Sequence, residues 1–221
     1  MRSILEHEAV VENREPQSQH VELQHINLKL LLKVSGNLDL DLDPIIPIFH
    51  GWIQNQVFDE LLLDVADYRH VPNGPGVVLI GHEADYSVDN SDGRLGVKYN
   101  RKALADGRNQ DRLEQATRAV LHAAKRLEED ASLQQKLRFN GRDIELSIND
   151  RLLAPNCEDT RKAIEPDFRM FFGQLFAGDQ YSLAYSSDAT KDSRRLFGAA
   201  VSSRKVFSLT ELLENLGSRT Y

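Results

Sequence analysis

The sequence has little of what a disulfide-linked, metal-cluster or membrane protein needs. Its single cysteine, Cys157, cannot form a disulfide within the chain, and there is no cysteine cluster for a structural zinc or an iron–sulfur centre. No stretch approaches the ~20 apolar residues of a membrane span. The N-terminal residues turn acidic at once, without the apolar segment of a signal peptide. We therefore expect a cytoplasmic protein that does not enter a membrane.

Positive charge is also scarce. The 27 Lys and Arg residues face 34 Asp and Glu residues, so the net charge is −7 at pH 7. This balance provides no general attraction to a phosphate backbone, and the sequence therefore argues against a nucleic-acid partner. The rest of the composition is typical of a globular protein, with 41% hydrophobic and 28% charged residues. The length of 221 residues suits one large domain or two small ones.

Hydrophobic periodicity predicts strands and a helix in the first half. Residues 25–34 alternate between apolar side chains and polar ones such as Asn27 and Lys29, which is typical of a strand. Asp43-Pro44 is a favourable start for the apolar helical pattern that follows. The predicted elements are a strand over 25–34, a helix from about 45, strands over 61–65 and 77–80, and a hairpin with its turn at 90–93.

The second half contains several residues that are typical of turns, helix breaks and helix caps. Asn140-Gly141 suits the type I′ turn of a hairpin, and Pro166 should break or restart the helix in which it lies. Ser208 and Glu211 fit a helix capping box. The predicted elements are an amphipathic helix over 109–131, a hairpin over 137–148, a helix after Asn156, strands over 180–186 and 195–201, and a helix over 208–217.

These elements predict an α+β fold with a mixed or mostly antiparallel sheet, packed by two or three helices. Residues 1–22 contain too few apolar side chains to anchor a core and are expected to form a flexible tail, followed by a single domain over 23–221. The order of elements permits two related βαββ-like halves, 23–106 and 133–206, joined by the long helix. No sequence repeat supports that duplication, and an ordinary single sheet is the alternative.

Histidines and carboxylates concentrate around the 77–80 strand. Imidazole and carboxylate groups can hold a metal ion that polarises water for hydrolysis. The candidate ligands are His70, His82, Glu83 and Asp85, with His50 in the first helix as a further candidate. Strand pleating would point His82 away from Glu83 and Asp85, so these groups converge only if Gly81 ends the strand or introduces a bulge. Otherwise Gly81 ends the strand and the carboxylates are solvated turn residues.

The glycine-rich loop between the two central strands is a second candidate site. Asn73, Gly74 and Gly76 could present backbone amides to an anion, because glycine permits close approach and unusual backbone angles. Pro75 removes one of those amides, and an apolar strand follows the loop instead of the helix that a phosphate-binding loop requires. A stiff connection between strands is the alternative interpretation.

A small basic cluster follows the first hairpin on an otherwise acidic chain. It comprises Lys98, Arg101 and Lys102. Such residues can receive an acidic partner, but pairing with surface carboxylates of the same chain is the commoner outcome.

The sequence has no G-x-S-x-G elbow, no H-E-x-x-H pair and no kinase-type signature. The sequence therefore favours a non-catalytic binding or assembly protein of unknown ligand and cofactor, engaging a protein partner or a second copy of itself. A sheet edge or the last helix would supply the interface, the candidate residues of that helix being Leu209, Leu212, Leu213 and Leu216. The alternative is a metal-dependent, hydrolase-like enzyme using His70, His82, Glu83 and Asp85.

Overall fold

The computed structural model describes residues 21–33, 41–133, 137–186 and 195–217. Within these ranges the chain forms eight strands and four α-helices. The strands are β1 (Ile26–Leu32), β2 (Leu62–Tyr68), β3 (Gly76–Gly81), β4 (Ala84–Asp89), β5 (Gly96–Arg101), β6 (Phe139–Ile148), β7 (Tyr181–Tyr185) and β8 (Phe197–Ser203). The helices are α1 (Ile45–Gln54), α2 (Asn109–Glu129), α3 (Glu158–Leu175) and α4 (Leu209–Asn215).

The strands form one antiparallel sheet in the order β2-β3-β4-β5-β1-β6-β8-β7. This confirms the predicted α+β class and the mostly antiparallel sheet, although four helices are present and not two or three. β1 lies near the centre, where Leu30 is opposite Val97 of β5 on one side and Ile144 of β6 on the other.

The sheet has a similar plan on each side of the β1–β6 pair. In both halves a strand leads into a helix and then into antiparallel strands, the last of which returns to pair with the first strand. The first half has four returning strands, β2 to β5, and the second has two, β7 and β8. A duplication of one unit stays a prediction.

The helices pack against one face of the sheet. The Gln115 side chain of α2 donates a 2.8 Å hydrogen bond to the Tyr99 hydroxyl of β5, and Phe168 of α3 packs against Phe197 of β8. α4 contacts α2 and α3, so it belongs to the same layer. No described helix lies on the opposite face, which we call the open face. None of the described helices combines the length and hydropathy that a membrane span needs.

Two residues of the predicted tail, 1–22, lie within the described part of the chain. Residues 1–20 lie outside the described residues. Val21 and Glu22, however, contact α2: the Val21 carbonyl accepts a hydrogen bond from the Asn109 side chain, and Glu22 pairs with Arg112 at 2.6 Å. The described chain is therefore in contact with α2 from Val21 onward.

The hairpin predicted over 137–148 is wrong, because β6 runs through this segment as one strand. Asn140-Gly141 coincides with an irregularity in register, since Leu30 is opposite Ile144 whereas Leu32 is opposite Phe139. A Cβ atom at position 141 would lie 1.9 Å from the Phe207 carbonyl oxygen. Glycine is needed here for the close approach of the segment that leads into α4, and not for a chain reversal.

The break predicted at Pro166 is also wrong, because α3 continues through it. Pro166 is exposed, whereas Ile164 and Phe168 on either side of it are buried. An interior proline costs about 3 kcal/mol, but each fully buried large apolar side chain contributes roughly 1.5–3 kcal/mol. The aromatic face of α3 therefore outweighs the lost backbone hydrogen bond.

Candidate functional site

Polar side chains of the three central strands meet on the open face. On β1, the polar side chains occupy the alternate positions that point away from the helices. The antiparallel register places them in two rows that run across β5, β1 and β6. One row consists of Asn100, Asn27 and Ser147, and the next consists of Lys98, Lys29 and Glu145. Directly opposed residues on an antiparallel pair share a face, so each row crosses β5, β1 and β6 as neighbouring side chains.

Two of these polar residues are almost completely buried although no described helix covers them. Asn27 is 7% exposed and Lys29 is 5% exposed. β1 has a strand on both sides, and the turn after β4 adds a further contact, since the Lys29 ammonium lies 3.3 Å from the Ser91 carbonyl oxygen. The polar side chains of β1 are therefore buried below the protein surface.

A cavity of about 500 Å³ lies over these rows. This volume is within the range of small-molecule sites in proteins, roughly 300–1,000 Å³. We call it the open-face cavity; its walls come from six strands and the turn after β4. The lining residues used below are Asn27, Lys29, Asp89, Asp92, Lys98, Glu145, Ser147, Ala184, Arg195 and Ala200.

The charges in the cavity are organised around Asp89. Its carboxylate lies 2.5 Å from the Lys29 ammonium and accepts hydrogen bonds from the Ser91 amide and hydroxyl, at 3.1 and 2.9 Å. Burial raises the pKa of Asp89, but the hydrogen bond and positive charge of Lys29 outweigh it, and the pKa lies below its usual value. Lys98 lies 4.0 Å from the same carboxylate. Asp89 is therefore an ion-pair partner and a weak proton acceptor.

Two amide oxygens beside these charges are unsatisfied. The Oδ1 atoms of Asn27 and Asn100, which are cross-strand neighbours, are buried and have no hydrogen-bond partner among the described residues. Leaving a buried polar atom without a partner costs roughly 1–3 kcal/mol. Asn27 lines the cavity, but its Oδ1 atom has almost no accessible surface of its own.

The structure does not bring the predicted metal ligands together. His70 follows β2 at one end of β3, and His82 follows Gly81 at the other end. Six residues of extended strand separate these ends by roughly 20 Å. His50 is exposed on α1. In the part of the chain that the structure describes, no group of three or more His, Cys, Asp or Glu side chains could hold a metal ion.

The two candidate carboxylates pair with cations of their own chain. Glu83 lies 2.8 Å from Arg101, and Asp85 lies 2.6 Å from Lys102. β3 ends at Gly81 and β4 begins at Ala84, so these carboxylates lie in and after a tight turn. Arg101 and Lys102 thus pair with carboxylates of their own chain, as the sequence indicated, whereas Lys98 faces the cavity.

The glycine-rich loop makes the turn between β2 and β3. Asn73 and Gly76 have positive φ values of 55° and 68°. The Gly74 amide donates to the Val71 carbonyl at 3.0 Å, so it is used within the turn. A Cβ atom at position 76 would lie 2.1 Å from the Val88 carbonyl oxygen. These contacts explain the glycines as parts of a tight connection.

The leucine stripe of α4 is covered by its own chain. Leu209, Leu212 and Leu216 are at most 5% exposed, and Leu213 is half-buried against the same core. The capping box is present: the Glu211 amide donates to the Ser208 hydroxyl, and the Ser208 amide donates to Glu211. These leucines therefore pack against the core of their own chain, and their part in an interface stays a prediction.

Sequence reasoning missed the cavity, although it named three of its lining residues, Asn27, Lys29 and Lys98. Asn27 and Lys29 were expected on the polar side of a strand, and nothing in their spacing showed that this strand is central. The partners Asp89, Lys98 and Glu145 come from other strands and meet β1 only through the sheet register.

The chain matches no protein-family model, and no curated protein matches its sequence. The functional interpretation therefore depends on the geometry of the open-face cavity.

Proposed function

We propose that this chain is a non-catalytic binding protein and that its ligand binds in the open-face cavity. The observation that carries this proposal is the cavity of about 500 Å³ over the central strands, whose lining includes the almost completely buried polar side chains of Asn27 and Lys29. A cavity with a few convergent polar groups is the usual form of a small-molecule site.

The carboxylates of the cavity support binding in preference to catalysis. Asp89 is held by Lys29, and Glu145 is paired with Arg94. A general base needs a pKa near the working pH and free access to the proton that it removes. Asp89, which is in an ion pair and has a pKa below its usual value, meets neither condition.

The experiment is a nuclear magnetic resonance titration of ¹⁵N-labelled protein with five probes at millimolar concentration: succinamate, succinamide, inorganic phosphate, glucose and putrescine. We expect at least one probe to shift the backbone amides of β1, β5 and β6 around Asn27, Lys98 and Ser147. Signals of the helix layer should move much less. If no probe shifts the cavity amides, or if the shifts map elsewhere, the proposal is wrong.

A variant whose larger side chains fill the open-face cavity tests whether the ligand binds there. Ala184 and Ala200 are exposed and line the cavity, so leucine at both positions occupies the space without burying a polar group. We expect the Ala184→Leu/Ala200→Leu variant to bind the same probe at least about tenfold more weakly, a loss of about 1.4 kcal/mol. Ser182→Leu is the control, because Ser182 is exposed on β7 outside the cavity lining. It should bind normally.

A further inference from the structure

The two edge strands of the sheet, β2 and β7, differ in how far their outer edges are protected. On β2 the Val65 amide donates to the Asp64 carboxylate at 2.8 Å. Just beyond the strand, the Arg69 amide donates to the Asp67 carboxylate at 3.0 Å. Charged side chains on an edge strand discourage another strand from pairing with it. The β2 edge is therefore protected by its own carboxylates.

The β7 strand has no such protection. Its sequence from Tyr181 to Tyr185 is Tyr-Ser-Leu-Ala-Tyr, which contains neither a charged residue nor a proline. An uncharged edge strand whose backbone groups are free is a template for pairing with another chain.

Hydrogen bonds at the two ends of β7 show which of its backbone groups point outward. The Ser186 amide donates to the Gly198 carbonyl at 2.9 Å. At the other end, the Arg204 amide donates to the Gln180 carbonyl at 2.8 Å. Hydrogen-bonded positions alternate along an antiparallel pair, so the even-numbered residues between these ends bond to β8. The odd-numbered residues present their amides and carbonyls to the outer edge, and no described residue bonds to these groups. They are Tyr181, Leu183 and Tyr185.

The β7 sequence is self-complementary when two copies lie antiparallel with Leu183 at the centre. In this register Leu183 is opposite the partner's Leu183, and Tyr181 is opposite the partner's Tyr185. Ser182 and Ala184, which are small and exposed, oppose each other on the open face. Opposed residues whose backbone groups point toward each other exchange two hydrogen bonds, so all three outward residues of each copy are used. Aromatic pairs across antiparallel strands are favourable, and no like charges meet within the paired strands.

The helix beside this edge carries charges of both signs. The Tyr181 hydroxyl donates to the Arg169 carbonyl of α3 at 3.1 Å, and the Arg169 guanidinium pairs with Glu165. The Arg161 guanidinium lies over the Tyr185 ring, 4.9 Å from its centroid. These charges lie outside the strand pairing itself, which involves uncharged residues only.

From these relationships we infer that the β7 edge is a docking surface for a second copy of this chain, with the two sheets joined by antiparallel pairing of β7. A two-fold symmetric dimer uses the same patch on both copies, which is what a self-complementary strand provides. The inference goes beyond the proposed ligand binding, because it uses backbone groups of the sheet edge and not the open-face cavity. A pairing of five residues is short, so we expect a weak dimer that depends on protein concentration.

Sedimentation equilibrium of the unaltered protein between about 5 µM and about 1 mM tests for this weak dimer. We expect the average mass to rise from 25.1 kDa toward twice that value. In ¹⁵N spectra over the same range, the amides of Tyr181, Leu183 and Tyr185 should shift and their hydrogen exchange should slow, because each gains a hydrogen-bond partner. The amides of β2 should not respond. A mass that stays at 25.1 kDa throughout would overturn the inference.

Matched lysine variants locate the dimer on the sheet. Leu183→Lys places two ammonium groups at directly opposed positions, so we expect it to weaken dimerisation about tenfold or more. The aliphatic stem of lysine can keep the contact of Leu183 with the core. The added positive charge reduces the net charge of −7, so general repulsion cannot explain weaker association. Leu63→Lys on β2, where Leu63 is 51% exposed, is the control and should dimerise normally.

A second variant tests the backbone pairing. Leu183→Pro removes an outward amide and no hydrogen bond to β8, and it should also weaken dimerisation about tenfold or more. Dispersion of the amide spectrum checks that each variant is folded.

Other occupants or surfaces would give different results. If the concentration-dependent shifts map to β2, or if Leu63→Lys weakens the dimer and Leu183→Lys does not, the copies meet elsewhere and the inference is wrong. If the outward amides of β7 are protected while the mass stays monomeric, another strand covers this edge, and the inference is wrong as well.

Discussion

The ammonium of Lys29 and the carboxylate of Asp89 form an ion pair 2.5 Å apart, with the two side chains 6% and 1% exposed. The pair joins the central strand β1 to the end of β4, which lies two strands away in the sheet. A buried ion pair of this kind contributes little net stability, but each charge offsets the desolvation cost of the other.

Removal of one partner should therefore be costly. We expect Lys29→Met to lower the free energy of unfolding by about 3–5 kcal/mol, because the buried Asp89 carboxylate loses its hydrogen-bonded cation and keeps only Lys98, at 4.0 Å. Adding Asp89→Asn should recover part of that loss, since the amide keeps an acceptor for Ser91 without the charge. Urea unfolding of the wild type, both single variants and the double variant measures the coupling. Costs that simply add would contradict a direct interaction.

Glu60 should make stability fall as the pH rises. Burial raises its pKa above the usual 4.5, against the lowering effect of hydrogen bonds from the Tyr86 hydroxyl and the Ala84 amide. The folded state therefore binds more protons than the unfolded state between the two pKa values, and this contribution to stability is lost as pH rises through the folded value. Asp89, whose pKa is lowered, stays ionised across that window.

The measurement is urea unfolding from pH 4 to pH 8 for the wild type and for Glu60→Gln. We expect the decline attributable to Glu60 to disappear in the variant. Tyr86→Phe removes the 2.6 Å hydrogen bond that lowers the pKa of Glu60, so it should move the decline to higher pH. Identical pH profiles for the wild type and Glu60→Gln would refute this assignment.

Two glycines should respond oppositely to alanine. Gly141→Ala places a Cβ atom 1.9 Å from the Phe207 carbonyl oxygen, so the backbone before α4 must shift, and we expect destabilisation of several kcal/mol. Gly173→Ala in α3 meets nothing within 4 Å and should stabilise by up to about 1 kcal/mol through helix propensity. Thermal and urea unfolding compare the two. A neutral Gly141→Ala would show that the close approach is not required.

Leu212 tests whether α4 belongs to the core of its own chain. It is fully buried, so Leu212→Ala should cost about 2–5 kcal/mol and leave the molar mass by light scattering unchanged. Met170→Ala in α3 is the exposed control, at 58% exposure, and should change stability by no more than about 0.5 kcal/mol. A change of mass with little loss of stability would instead favour an interface role for α4.

Predictions from periodicity succeeded where local pattern and tertiary environment agree. The alternation around Leu28 and Leu30 predicted β1, and the cap at Ser208 predicted the start of α4. Predictions from single breaker residues failed at Gly141 and Pro166. Gly141 accommodates the close approach of the Phe207 backbone within a strand, and at Pro166 the burial of neighbouring apolar side chains outweighs the local preference of proline.

The candidate site was much less accessible to sequence reasoning. The concentration of histidines and carboxylates around β3 predicted a metal site. In the structure, His70 and His82 lie at opposite ends of β3. Glu83 and Asp85 pair with nearby cations. The residues that converge on the cavity are ordinary polar strand positions whose spacing carries no motif.

By itself, the sequence determined the α+β class and most of the elements, because periods of two and of 3.6 residues are local properties of a chain. Only the tertiary structure decided that β1 is central, that Lys29 and Lys98 oppose each other, and that Asn27 is buried with an unsatisfied oxygen. Those relationships depend on which strands pair and in what register, and strand order arises from long-range packing that no local pattern contains.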